Sequence, residues 1–238
     1  MQALAAIYTA TARQFRRDWM ALLFTLLLPL LMAAFFGMVF EGEPRVHVPA
    51  MLSLGILWLG VFGTAPPLVQ LRELKVFRRI RATPLPPAVL LAGQLAFRVT
   101  TGMLQAAVLL AYGMAADGMQ VRGGWPALIL VVLLGTLLFV ALGCLLAAVA
   151  RTNEAVIALG QVVQFPLMFL SGTLFPLEML PGFLRPVAAA MPLTYLADAL
   201  EQVMLGAPGL HPLWLDCTVL GGLGAVCGLL AARLFRWE

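Results

Sequence analysis

Apolar residues run together in six stretches long enough to cross a bilayer as helices, a crossing that takes about 20 residues. They are Trp19–Phe40, Val48–Val69, Ala88–Ala115, Trp125–Ala150, Ala155–Phe175 and Leu213–Leu234. Gln161, Gln164 and Pro166 interrupt the fifth. Three further segments carry other patterns. In residues 1–18, Leu4, Ile7, Tyr8, Thr11 and Phe15 recur on one helical face, and Arg13, Arg16 and Arg17 occupy the other. That spacing predicts a short amphipathic helix in the membrane interface. In residues 70–83, Arg72, Lys75, Arg78 and Arg79 share one arc of a helical wheel, while Leu74, Val76, Phe77 and Ile80 share the opposite arc. Glu73 falls among the apolar group, where a charge is expensive unless paired. A helix is predicted here, ended by Pro84, Pro86 and Pro87. Its basic arc fits contact with anionic lipid or docking of a cytoplasmic partner, with Glu73 held for that partner or for an intrachain cation.

The third segment, residues 176–212, is too apolar for an aqueous loop and is cut by Pro176, Pro181, Pro186, Pro192, Pro208 and Pro212. After Pro192, the residues Leu193, Leu196, Leu200, Val203 and Met204 form one stripe, with Tyr195, Asp198 and Gln202 on another face. Broken, re-entrant helices at the outer boundary fit this pattern, because irregular backbone at membrane depth must be buried in protein or line a cavity.

Basic residues set the orientation. Arg13, Arg16, Arg17, Arg72, Lys75, Arg78, Arg79, Arg81, Arg151, Arg233 and Arg236 fall on one side of the six spans. Arg45, Arg122 and Arg185 fall on the other, and Arg98 lies within the third span. Both termini are therefore expected in the cytoplasm, the chain being multi-pass in the inner (cytoplasmic) cell membrane. Composition agrees. The 238 residues are 62% hydrophobic and 11% charged, against about 25% charged in soluble domains. That excludes a disordered chain and leaves too little polar side chain to cover a soluble core. The net charge of +4 would suit a nucleic-acid binder by its sum, but its residues flank apolar spans, so no nucleic-acid partner is expected. The expected fold is all-α: one transmembrane domain over residues 1–238.

Several chemistries are missing. The single lysine, Lys75, has no glycine before it, so the phosphate-cradling G-x-x-x-x-G-K-[ST] loop cannot form. No H-E-x-x-H or G-x-S-x-G motif occurs, and no catalytic residue is assigned. Cys144, Cys217 and Cys227 include no C-x-x-C pair and read as buried small hydrophobes. His47 and His211 sit in separate outer segments with no evident ligand cluster, so no metal is expected. No Asp or Glu lies near the centre of spans one to five, and Asp216 falls at the outer end of span six. A proton-driven carrier would need such groups as relays.

Two polar stripes enter the membrane. Gln94, Arg98, Thr101, Gln105 and Tyr112 share a face of the third span, and Gln161, Gln164, Met168 and Ser171 share one of the fifth. Each fits interhelical glue or the wall of a pathway. The first is assigned to glue, and the second, beside Pro166 and the broken outer segment, to the substrate pathway. In the sixth span Gly224 and Gly228 form a small-x-x-x-small pair suited to close helix approach.

This order of parts resembles the permease subunits of type-2 ATP-binding-cassette exporters. The resemblance rests on Leu71-Arg72-Glu73, on Arg79-Ile80-Arg81-Ala82-Thr83-Pro84-Leu85, on Ser171-Gly172-Thr173-Leu174-Phe175-Pro176-Leu177-Glu178 with Leu180-Pro181, on Met191-Pro192-Leu193-Thr194-Tyr195 and on Asp198-Ala199-Leu200. Two positions depart from it. Lys75-Val76-Phe77 stands where the family often has Gly-Thr, and Glu201 where it often has arginine.

The resemblance implies an N-terminal interfacial helix, a cytoplasmic coupling helix over 70–83 and re-entrant outer helices over 176–212. It also implies coupling to the ATPase through Arg72, Glu73, Lys75, Arg78 and Arg79. The working unit would be two permease protomers, identical or different, in the lipid bilayer. Two nucleotide-binding ATPase subunits would bind ATP and magnesium, this chain holding no cofactor of its own. The expected function is export of an amphipathic, drug-like or lipid-linked substrate. The competing readings are a non-transporting membrane scaffold and a self-contained channel or secondary carrier.

Overall fold

The computed structural model describes residues 2–39, 47–75, 87–116, 118–174 and 179–234. Every regular element among them is helical. They are α1 (Gln2–Arg17), α2 (Trp19–Leu22), a π-helical turn (Leu23–Leu27), α3 (Leu28–Val39), α4 (His47–Val61), α5 (Ala65–Glu73), α6 (Pro87–Ala116), α7 (Trp125–Val149), α8 (Asn153–Leu170), α9 (Arg185–Ala189), α10 (Pro192–Leu205) and α11 (Leu213–Leu234).

Among the described residues, five stretches are long and apolar enough to cross a membrane: His47–Glu73, Ala92–Ala116, Trp125–Val149, Asn153–Leu170 and Leu213–Leu234. The first predicted span is helical from Trp19 to Val39, but not as one regular α-helix. Pro29 has no N–H to give to the preceding turn. Just before it the backbone widens, and the Leu28 N–H reaches back five residues to the Leu23 carbonyl, a π-turn of the kind that relieves such a break. The apolar helix Leu23–Met38 is correspondingly short.

α4 is the centre of the fold. From Val48 to Val61 every residue except Trp58 is buried. It packs against α3, α6, α7 and α10, while α7 also packs against α11. The tightest crossing is between α4 and α7. A Cβ on Gly143 would overlap the Gly60 carbonyl oxygen, and one on Gly60 would overlap the Phe139 backbone. Only glycine at both positions lets the two backbones approach this closely. α11 meets α7 less tightly. A Cβ on Gly224 would stand 3.3 Å from Leu138 Cα, one on Gly228 would stand 4.0 Å from Ala141 Cβ, and one on Gly222 would meet nothing within 4 Å. The Gly224/Gly228 pair therefore serves packing within the chain. Gly224→Leu is expected to lower the melting temperature of the purified permease, and Gly222→Leu to leave it unchanged.

The N-terminal helix keeps the predicted stripe but lies along α6. Phe97 receives Tyr8 at 5.9 Å and Phe15 at 5.4 Å between ring centroids, both edge-on, while Arg13, Arg16 and Arg17 are exposed. The stripe predicted on α10 is deeply buried, with Leu193, Leu196, Leu200, Val203 and Met204 at 0–1% exposure.

Two predicted boundaries move. The fifth apolar helix starts at Asn153 and stops at Leu170, short of Phe175. Gly172 adopts φ 81°, and the Ser171 and Thr173 hydroxyls pair at 2.8 Å, with Thr173 also donating to the Met168 carbonyl at 3.3 Å. These contacts close off the helix end. Nor does one regular helix run over 70–83. α5 ends at Glu73, and Lys75 takes the left-handed conformation at φ 55°, with its N–H on the Arg72 carbonyl. The rest of that segment, including Arg78 and Arg79, lies outside the described residues, as do Phe175–Glu178.

Candidate functional site

Arg72 and Glu73 close the α5 end onto the α7–α8 connection. α7 ends with orphan carbonyls, as any helix does. Arg72 lies half-buried beside them and donates to the Ala147 carbonyl at 3.2 Å and to the Ala150 carbonyl. Three residues on, α8 begins. Thr152 caps it through its hydroxyl, which accepts the Ala155 N–H at 3.2 Å. The Glu73 carboxylate accepts the Asn153 N–H at 2.9 Å. A cation thus sits at the negative end of α7 and an anion at the positive end of α8, each where the helix dipole favours it. Among the described residues no cation pairs with Glu73. The carboxylate is exposed and pairs with a backbone amide, so the charge on the apolar arc is not buried. Lys75 is exposed just beyond this latch.

Sequence reasoning missed the receiving half of the latch. Its signal was Thr152-Asn153-Glu154 after an apolar run, a helix-start signature with an acid in the first turn.

The polar stripe of α6 does not only join helices. Gln94, Arg98 and Gln105 line a cavity of about 510 Å³ enclosed by α1, the π-turn region, α4, α5 and α6, with Gln14, Asp18 and Gln70 also on its wall. Thr101 turns its hydroxyl to the Phe97 carbonyl at 2.9 Å. Gln105 is 1% exposed, and neither its amide oxygen nor its nitrogen has a hydrogen-bond partner among the described residues. Its amide packs on Gly55, where a Cβ would overlap it. Arg98 lies 5.8 Å from the Phe97 ring centroid.

The stripe expected to form the pathway on α8 divides. Gln164 and Ser171 are buried, Met168 is half-buried, and Gln161 is exposed beside Val162 and Phe165. Helix rotation explains the split, since Val156, Gly160, Gln164 and Leu167 form the inward face and Gln161 lies a hundred degrees away from Gly160.

At the other end of the molecule, α10 turns its polar face to the start of α11. Asp198 accepts the Leu210 and His211 N–H groups at 2.8 and 2.9 Å, and Gln202 reaches both Asp198 and Asp216. Glu201, standing where the resembled family often has arginine, is half-buried. Burial, then the nearby Asp198, pushes its carboxyl up to about 7.

A multi-pass helical membrane protein, with a polar cavity among its helices and a charged latch at one end of them, is the class these features define. The family profile for ABC-2 type transporters matches residues 2–205, and the chain belongs to that family. It is similar to the daunorubicin resistance ABC transporter permease protein DrrB1 of Streptomyces coeruleorubidus, at 27% identity over 91% of this chain and 77% of that protein. It is also similar to the probable doxorubicin resistance ABC transporter permease protein DrrC of Mycobacterium tuberculosis, at 23% identity over 92% and 83% of the two chains. The linearmycin resistance permease protein LnrN of Bacillus subtilis matches at 25% identity over 81% of this chain and 51% of its own. The chain is thus a permease subunit of an ABC exporter, of the kind that partners with a separate ATP-hydrolysing subunit.

Proposed function

We propose that this permease moves an amphipathic, drug-like or lipid-linked substrate outward across the cytoplasmic membrane. It works as one of two protomers, each docked to a nucleotide-binding subunit that holds ATP and magnesium. The latch of Arg72 and Glu73 carries this reading. The segment from Arg72 to Arg79 is basic and cytoplasmic in the orientation that the arginine distribution favours, with both termini on the same side. A pull on it by a closing ATPase would pass through two charge-assisted contacts to the end of α7 and the start of α8. The resistance proteins similar to this chain support the substrate class. Six spans and a re-entrant α9–α10 pair complete the arrangement, the helix from Trp19 to Val39 serving as the first span.

The pathway in this reading runs along the outward face of α8, between protomers. Val162 is 70% exposed, and Phe165 and Phe169 lie in line with it. Gln161 and Met168 edge that face, with Gln164 and Ser171 behind it. The unpaired amide of Gln105 favours a second role for the cavity beside Arg98, as the place where a substrate's polar group enters from the inner leaflet.

Two variants test the docking and the wall. Lys75→Glu should lower the amount of ATPase subunit recovered with the permease, while Arg13→Glu on α1 should not. Equal recovery from both would reject the docking surface. Gln161→Trp and Met168→Trp should obstruct export in variants matched for membrane level. Gln164 is unsuited to this test, since tryptophan at a buried site overpacks the core.

A further inference from the structure

The outer polar cluster contains two buried atoms that hydrogen bonding leaves unused. Asp216 is fully buried, and its Oδ1 has no hydrogen-bond partner. It faces His211 Nδ1, also buried and without a hydrogen bond, at 3.7 Å. The same nitrogen lies 3.8 Å from Asp198 Oδ2. The three side chains come from α10, the 206–212 connection and α11, and one ligand atom from each lies within 4.8 Å of the others. Among the described residues, His211 is the only cation-forming side chain within 4 Å of either carboxylate.

We propose that Asp198, His211 and Asp216 bind a divalent cation of the zinc class, tying α10 to the start of α11 at the outer boundary. The donor set selects the metal. Imidazole suits zinc and its transition-metal neighbours, whereas calcium and magnesium prefer oxygen alone. The spacing fits as well. Ligands about 2.0–2.1 Å from a tetrahedral ion stand about 3.3 Å apart, so the His211 contacts at 3.7 and 3.8 Å need to close by a few tenths of an ångström, and the ligand atoms, which all lie within 4.8 Å of one another, draw together around the ion.

The supporting shell is already in place. Gln202 Nε2 lies within hydrogen-bond reach of Asp198 Oδ2, Asp216 Oδ2 and the His211 carbonyl, at 2.9–3.2 Å. Leu210 N–H holds the other oxygen of Asp198, and the Tyr195 ring stacks on His211 at 4.9 Å. Such partners fix the orientation of ligands at metal sites. His211 is 24% exposed, which opens the site to outer water for a fourth ligand. A cation would place positive charge between two carboxylates that otherwise share a single histidine.

The test uses the full chain purified in detergent with a tag free of histidine. It is stripped with chelator and titrated with zinc, with cobalt as the spectroscopic probe. One zinc per chain is expected, with tetrahedral visible bands for cobalt and a rise in melting temperature that chelator reverses. His211→Gln, at a partly exposed position that does not disturb the core, should weaken zinc binding by at least about tenfold and remove the temperature shift. His47→Gln should change neither. Asp198→Asn serves as the second ligand variant and should also weaken binding. Absence of stoichiometric zinc uptake by the folded wild type, or uptake unchanged in His211→Gln, would overturn the proposal.

Discussion

Replacing Gly143 with leucine should leave almost no folded permease in the membrane. The Gly143 Cα faces the Gly60 carbonyl across the α4–α7 crossing, and even a methyl group there overlaps that oxygen. Both partners are backbone, so no side chain can move aside. α4 is also buried along nearly its whole length, which leaves the helix nowhere to shift without disturbing α3, α6 and α10 as well. Overpacking of this kind costs about 1–3 kcal/mol for small increments, and total stability is only about 5–15 kcal/mol. Gly143→Ala should therefore lower the thermal midpoint markedly, and Gly143→Leu should abolish the monodisperse peak in gel filtration of detergent extracts. A normal peak and midpoint for Gly143→Leu would show that α4 and α7 do not cross here.

Breaking the latch should uncouple rather than unfold. Glu73→Ala removes the acceptor for the Asn153 N–H, and Arg72→Ala leaves the Ala147 and Ala150 carbonyls without their guanidinium. Glu73 is exposed and Arg72 half-buried, so losing either charged hydrogen-bond partner costs at most about 1–3 kcal/mol, which a protein of this size survives. The expected result is a fall in ATP-driven export of at least about tenfold, the rate equivalent of 1.4 kcal/mol. The ATPase subunit should stay bound, with its basal hydrolysis retained and its stimulation by substrate lost. Glu73→Gln keeps an oxygen that can accept the amide and should fall between wild type and Glu73→Ala. Wild-type export by Glu73→Ala would remove the latch from the coupling route.

The parts of the fold that repeat with helical period were legible in the sequence. The buried stripe of α10 from Leu193 to Met204 and the α1 face that meets Phe97 follow directly from spacing, because burial of an apolar face decides where such a helix lies. Helix ends were less legible. Gly172 stops α8 and Lys75 stops α5 through single backbone angles, and nothing about a lysine announces a left-handed residue. Close crossings are hard to read along the chain for a similar reason. The paired glycines of α11 attracted notice, yet the tightest contact uses lone Gly60 and Gly143, a match between two helices that no single helix displays.

The same limit applied to the sites. His211 looked isolated along the chain, and only the return of the 206–212 connection onto α10 brings Asp198 and Asp216 beside it. Arg72 and Glu73 stand out along the chain by their charge, but their partners are backbone groups of another hairpin, and backbone groups leave no mark in composition.

The central claim is that this chain carries substrate only when a partner hydrolyses ATP. The direct measurement places the purified permease and its ATPase subunit together in lipid vesicles with the ATPase facing outward. An amphipathic fluorescent drug is added, and its accumulation in the lumen is followed with and without ATP. ATP-dependent accumulation that needs both subunits, and is lost in Glu73→Ala, is the predicted result. Accumulation by the permease alone, or none with both subunits and ATP present, would contradict it.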